Sequence, residues 1–294
     1  MTIPFFLAPF PEAPGRPGSS SRTGSRHAPL ERITWAMATF AAALLLPVAG
    51  AAQTSDSWCD DPVSRGNHCE VREFELDAPD GFLSVDARAN GAIQVEGWDG
   101  DHVRAEARVV TRARSADAAR GMAEDVEIRT RPGEIESSGP STWRSRDSWS
   151  VSYRIQVPRG TALALENTNG SVRVAGVEGP VELSTTNGGI TLDGVTQWVR
   201  ARTTNGGIEV SMAAGAVLDE DSYLRSTNGG ITLRLPSTLN AQLQARTTNG
   251  SISSELPLAA EASVRRQSLN GTLGSGGAEL RLQTTNGGIR ILER

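Results

Sequence analysis

"RTTNGGIEV" occupies residues 202–210, and near-copies stand at 184–192 ("STTNGGITL"), 225–233 ("RSTNGGITL") and 283–291 ("QTTNGGIRI"). Small or apolar residues alternate before the Asn (Val199, Ala201, Thr203) and again after the Gly pair (Ile208, Val210). A period of two marks strands with one buried face. Each copy therefore reads as strand, Asn-Gly corner, strand and looser return.

Asn-Gly recurs at Asn169, Asn187, Asn205, Asn228, Asn249, Asn270 and Asn286, with spacings of 18, 18, 23, 21, 21 and 16 residues. A divergent, out-of-phase copy sits at Asn90. Periods near twenty residues mark a solenoid or array. Asn-Gly between alternating runs is also a hairpin signal, which would give an antiparallel meander. The sameness of the corners favours stacking. A hairpin gains nothing by matching the next hairpin's side chains, whereas stacked coils can ladder their amides. In this reading Asn tolerates a left-handed corner, Gly removes a Cβ clash, and the small Thr two residues before Asn fits where the coil narrows. The expected fold is all-β: a parallel β-helix-like solenoid of about seven coils of 16–23 residues over 161–294.

The segment 71–160 departs from this grammar. "FLSVDARANGAIQVEGWDGDHVRAEARVV", "GEIESSG" and "WSVSYRIQVPRG" read as strands. "SADAARGMAEDVEI" reads as a short helix, with Ser115 as its cap and Ala119, Met122, Ala123 and Val126 on one face. A solenoid needs its open first rung covered, and this segment is the expected cover. No comparable cap follows Ile291, so the C-terminal rung is expected to be an exposed edge through which copies could join.

"YRIQVPRGTALALENTNGSVRV" at 153–174, the repeated "TTNGGI" and the early "NGAIQVEGWDG" together resemble the bacterial candidate-adhesin, β-strand-repeat domain of unknown function, over roughly residues 70–294. The resemblance implies a β-helix-like solenoid in a cell-envelope protein. It brings no catalytic residues and no cofactor.

Upstream, residues 1–32 are rich in Pro, Gly, Ser and Arg and read as a disordered extension or a misassigned start. Arg26 and Arg32, the apolar run of 33–52 and Ala49-Gly50-Ala51 have the order of a secretory signal. Its removal takes four Arg and two Glu and moves the net charge from −5 to −7. An acidic chain is a poor nucleic-acid binder, and no membrane span is expected after cleavage. All 29 Lys-plus-Arg positions are Arg, which excludes lysine Schiff-base chemistry and a P-loop lysine. Cys59 and Cys69, in the segment 53–70, are expected to form a disulfide in an exported chain. His68 between them adds too few ligands for a metal site.

Candidates for chemistry are sparse. His68 and His102 both fall before the repeats, and no metalloprotease, nucleophile-elbow or EF-hand pattern occurs. Asp219, Glu220 and Asp221 lie in the longest return and read as a solvated loop. Trp143 and Trp149 could stack sugars or cover a core edge. The remaining signal is positional. Outward residues one before each Asn form a Thr row: Thr168, Thr186, Thr204, Thr227, Thr248 and Thr285. Those three before include Arg202, Arg225 and Arg246, and those five before include Arg200, Arg265 and Arg281. Stacked in register, the arginines would form a stripe facing anionic polysaccharide or an envelope surface. The function expected is that of an exported, non-catalytic scaffold or adhesion-type binding protein. A carbohydrate-active enzyme on the same solenoid and a self-assembling envelope protein are the alternatives.

Overall fold

A computed structural model describes residues 58–59, 67–87, 90–142, 146–256 and 263–294, all within one compact unit, Gln53–Arg294. The leader and Trp143 lie outside the described residues.

Alternation of apolar and polar residues produces strands almost throughout. Before the repeats come β1 (Asn67–Asp77), β2 (Phe82–Asp86), β3 (Ile93–Trp98), β4 (His102–Arg112), α1 (Ala116–Glu124), β5 (Glu127–Arg131), β6 (Glu134–Ser138) and β7 (Ser148–Pro158). The repeats supply pairs joined by Asn-Gly: β8 (Ala162–Asn169) and β9 (Val172–Ala175), β10 (Val181–Asn187) and β11 (Ile190–Val195), β12 (Val199–Asn205) and β13 (Ile208–Met212). Then follow β14 (Ser222–Asn228) with β15 (Ile231–Leu235), and β16 (Ala241–Asn249) with β17 (Ile252–Ser254). Last come β18 (Ser263–Arg265), β19 (Ser268–Leu273), β20 (Glu279–Asn286) and β21 (Ile289–Glu293).

Two sheets result. One runs β1-β4-β7-β3-β9-β11-β13-β15-β21-β17, and the other β18-β19-β16-β20-β14-β12-β10-β8-β2-β6-β5. Within the repeats every rung-to-rung pairing is parallel, and like residues meet, as Ile190 meets Ile208 and Asn187 meets Asn205. Leu163, Leu183, Ala201, Leu224, Leu282 and Leu243 point inward from one sheet, and Val172, Ile190, Ile208, Ile231 and Ile289 from the other; all are buried. Each buried Leu or Ile contributes about 1.5–3 kcal/mol relative to exposure.

The corners explain the repeated motif. An amide ladder runs along them: Asn169 donates to Asn90, Asn187 to Asn169, Asn205 to Asn187, Asn228 to Asn205, Asn286 to Asn228 and Asn249 to Asn286, at 2.7–2.8 Å. The first Gly of each corner lies against the rung before it. A Cβ on Gly188, Gly206 or Gly229 would come within 2.0 Å of the carbonyl oxygen of Gly170, Gly188 or Gly206 respectively. Close approach, rather than a left-handed backbone, is what demands Gly: of these corner glycines only Gly170, at φ +140°, has a positive φ. A Cβ on the second Gly meets nothing nearer than 3.7 Å at Gly189 and 3.5 Å at Gly207, which is why Ser171 and Ser251 can take that place.

The buried Thr or Ser two before the Asn turns its hydroxyl to the neighbouring corner. Thr203 donates to Gly188 O, Ser226 to Gly206 O, Thr284 to Gly229 O and Thr247 to Gly287 O, at 2.8–3.0 Å. Those carbonyls lie outside the strands, and the hydroxyls satisfy them.

Three expectations are corrected. First, the rungs do not follow sequence order. β20–β21 lies between β14–β15 and β16–β17, so Asn286 bonds both Asn228 and Asn249. Ile289 and Ile291 are fully buried, and the edge expected there does not exist. Second, Asn270 is not part of the ladder. It lies on β19, antiparallel to β16, opposite Gln244. Its copy, "SLNGTL", puts the fully buried Leu269 directly before the Asn, where the repeat corners carry the outward Thr. The β18–β19 hairpin instead covers the last rung: Arg266 O accepts from Ile252 N, and Gln267 O from Thr247 N. Third, Asn90 is in phase. It pairs with Asn169 across 79 residues, because β2 and β3 form a rung beside β8 and β9.

The intervening insertion closes the other end. β6 pairs with β2, and β7 with β3. Helix α1 is capped by Ser115, which accepts from Ala118 N. At its other end, Arg72 donates to Ala123 O and Val126 O. Cys59 and Cys69 are disulfide-bonded beside this arrangement.

Candidate functional site

The outer face of the second sheet carries the arginines. Register places Arg200 beside Glu182 and Tyr223, Arg202 beside Ser184 and Arg225, and Gln283 between Arg225 and Arg246. A shallow groove of 680 Å³ crosses this face, lined among others by Arg202, Arg225, Tyr223, Thr204 and Arg281.

The six candidate arginines divide by partner. Arg200 donates to Glu182 at 2.9 Å and Glu220 at 2.8 Å, and its guanidinium lies 4.2 Å over the Trp198 ring. Glu182 first, then Glu220, hold the Arg200 guanidinium above its ordinary pKa. Arg281 is bonded to Glu279 at 2.7 Å, which holds its pKa up in the same way. Arg265 is displaced along the face, because its Asn270 copy is not a rung. It sits on β18 opposite Ser268, which itself lies opposite Arg246, so it extends the row three before the corners rather than the row five before. Arg202, Arg225 and Arg246 make no ion pair among the described residues. Arg202 lies 5.6 Å over the Tyr223 ring, and Tyr223 in turn donates to Gln283. Two guanidiniums on adjacent strands, about 4.8 Å apart at the backbone, repel one another unless an anion comes between them.

The acidic loop belongs to this face and is not a separate site. Glu220 serves Arg200, and Asp221 accepts from Glu279 N at 2.8 Å. The Thr row is in register along the edge of the groove. Trp149 is packed against the core with its indole N–H on Pro140 O, and so covers an edge. Among the described residues no group of three His, Cys, Asp or Glu could hold a metal, and no helix is long and apolar enough to cross a membrane.

A second groove, of 710 Å³, lies on the outer face of the first sheet between β1, β4, β7, β3 and β9. Two of its arginines have acidic neighbours: Arg104 reaches Glu75 at 3.2 Å and stacks on Trp98, and Arg154 faces Glu106 and stacks on Trp58. Sequence reasoning missed it because its walls come from five strands with no shared motif.

Two sheets of stacked parallel strands joined at laddered corners, with long outer faces, define a solenoid-like all-β protein. The chain belongs to the Toastrack DUF4097 family, whose model matches residues 67–292. Similar solved structures include a candidate cell-adhesion protein from Clostridium sporogenes ATCC 15579 (10% identity, covering 76% of this chain and 100% of that one, TM-score 0.37). Others are a candidate adhesin from Bacteroides fragilis NCTC 9343 (11%, 77% and 97%, TM-score 0.38) and a candidate lipid-binding protein from Parabacteroides distasonis ATCC 8503 (10%, 76% and 97%, TM-score 0.27). No curated protein matches the chain.

Proposed function

We propose that the chain is an exported, non-catalytic binding protein of the cell envelope, and that Arg202, Arg225 and Arg246 form its contact surface for anionic glycan or lipopolysaccharide phosphate. One observation carries the reading. On a face where Arg200 and Arg281 each hold a carboxylate, these three have none among the described residues, and two of them are register neighbours. Export is supported by the Cys59–Cys69 disulfide, which belongs in an oxidising compartment. Half-buried Tyr223 gives the surface an aromatic ring beside its cations, as sugar recognition uses.

The test is retention on an immobilised acidic glycan against a neutral one. The full chain is expected to bind the acidic glycan, to lose it as salt rises, and to lose it at low salt when Arg202, Arg225 and Arg246 are changed to Ala. Retention that ignores both salt and the triple change would refute the surface.

A further inference from the structure

The same face is polarised along the stack. In the row three residues before the corners, β6, β2 and β8 present Glu136, Asp86 and Glu166, and β10 presents Ser184. The row continues with Arg202 on β12, Arg225 on β14, Gln283 on β20 and Arg246 on β16. Across these eight strands acid fills one half and base the other; beyond them Arg129 on β5 stands opposite Glu136, and Ser268 and Arg265 continue the row past Arg246. The row five before the corners follows the same plan: Ser84, Ala164 and Glu182 on the first half, then Arg200, Tyr223 and Arg281.

We infer that this face pairs with itself in a second copy of the chain, acidic half on basic half. The inference rests on the reading above, in that the partner's carboxylates take the place of the anionic ligand. A two-fold axis lying in the face between β10 and β12, parallel to the strands, reverses the stack while keeping each row on itself. It sets Ser184 against Arg202, Glu166 against Arg225, Asp86 against Gln283 and Glu136 against Arg246. In the second row it sets Glu182 against Arg200, Ala164 against Tyr223 and Ser84 against Arg281. No like charges meet: each arginine faces a carboxylate or a Ser, Tyr223 faces Ala164, and the Gln283 amide faces the Asp86 carboxylate. The other two-fold, parallel to the stack, lays every strand on its own copy, with Arg225 on Arg225 and Glu166 on Glu166; like charges oppose it. A C₂ interface needs this kind of self-complementary patch. Eight strands about 4.8 Å apart and about 20 Å of strand give roughly 700–800 Å² per partner, the size of a standard specific interface.

Sedimentation of the full chain over a range of concentrations and salt tests the pairing, with Glu166→Arg, Arg225→Glu and the double exchange as variants. These side chains are exposed, so the fold is expected to survive, as circular dichroism will show. A dimer that weakens with salt is expected. Each single change should raise the dissociation constant by about tenfold or more, and the double exchange should restore it, because the same pair is remade with its signs reversed. Acidic glycan should dissociate the dimer. A chain that stays monomeric at every concentration, or a double exchange no better than the single changes, overturns the inference. A monomer still retained on acidic glycan overturns the pairing and leaves the anion reading intact. A salt-sensitive dimer that never binds glycan does the reverse.

Discussion

At the scale of single residues, each corner position has its own physical demand. The first Gly is fixed by the rung beside it and the second is not, so Gly206→Ala is expected to cost roughly 3 kcal/mol or more and Gly207→Ala less than about 1, as measured by chemical denaturation. The buried hydroxyls divide as sharply. Thr203 donates to Gly188 O, but Thr185 has no partner, since Asn167 already donates to Gly170 O on its side. Thr203→Val should therefore cost about 1–2 kcal/mol, while Thr185→Val should be neutral or stabilising; equal losses would contradict the assignment. Tyr153 is fully buried among the insertion strands, and burial pushes its phenol up to about 12. Its hydroxyl lies near Ser137, whose own proton goes to Ala87 O, and makes no bond of ordinary geometry. Because the folded pKa lies above the unfolded value near 10, the unfolded chain releases this proton first. Stability should be intact below pH 10 and fall between pH 10 and about 12. Tyr153→Phe should flatten that alkaline limb in denaturation measured against pH.

At the scale of elements, the rung order decides what can be removed. β20–β21 is inserted between two rungs that precede it in the chain, so the last residues complete the stack. Ile291→Asp is expected to unfold the C-terminal rungs at a cost of about 3–5 kcal/mol, seen as a lower denaturation midpoint. A terminal-edge role would instead leave stability unchanged and alter only association. The strands, their inward faces and the stacking of corners were legible because Thr203, Asn205, Gly206 and Ile208 each answer to a local demand repeated in every copy. The order was not legible, because the corners are alike and nothing in "TTNGGI" says which copy is its neighbour. The misfit of "SLNGTL" was the available signal: an apolar Leu269 directly before the Asn, where the repeat corners have an outward Thr, reverses the inward–outward phase. Asn90 was hard to place for the opposite reason, since its partner Asn169 stands 79 residues away, beyond an insertion.

At the scale of the whole molecule, function rests on how charge is distributed over an acidic chain of net −5. Alternation alone gave the outward rows, and so the arginine stripe. It could not tell satisfied arginines from unsatisfied ones, because Glu220 reaches Arg200 from a loop and Glu279 reaches Arg281 from the same strand. Nor could it place Arg265, which reaches the Arg246 row across β19 because its Asn270 copy is a hairpin strand and not a rung. The most direct measurement is calorimetric titration of an acidic oligosaccharide into the full chain and into the Arg202→Ala, Arg225→Ala, paired and Arg281→Ala variants. The account predicts losses of about 1 kcal/mol or more at Arg202 and Arg225, with the pair coupled by at least about 0.5 kcal/mol, and little change at Arg281, which already holds Glu279. Equal losses at Arg281 and Arg225, or none at any of them, would contradict it.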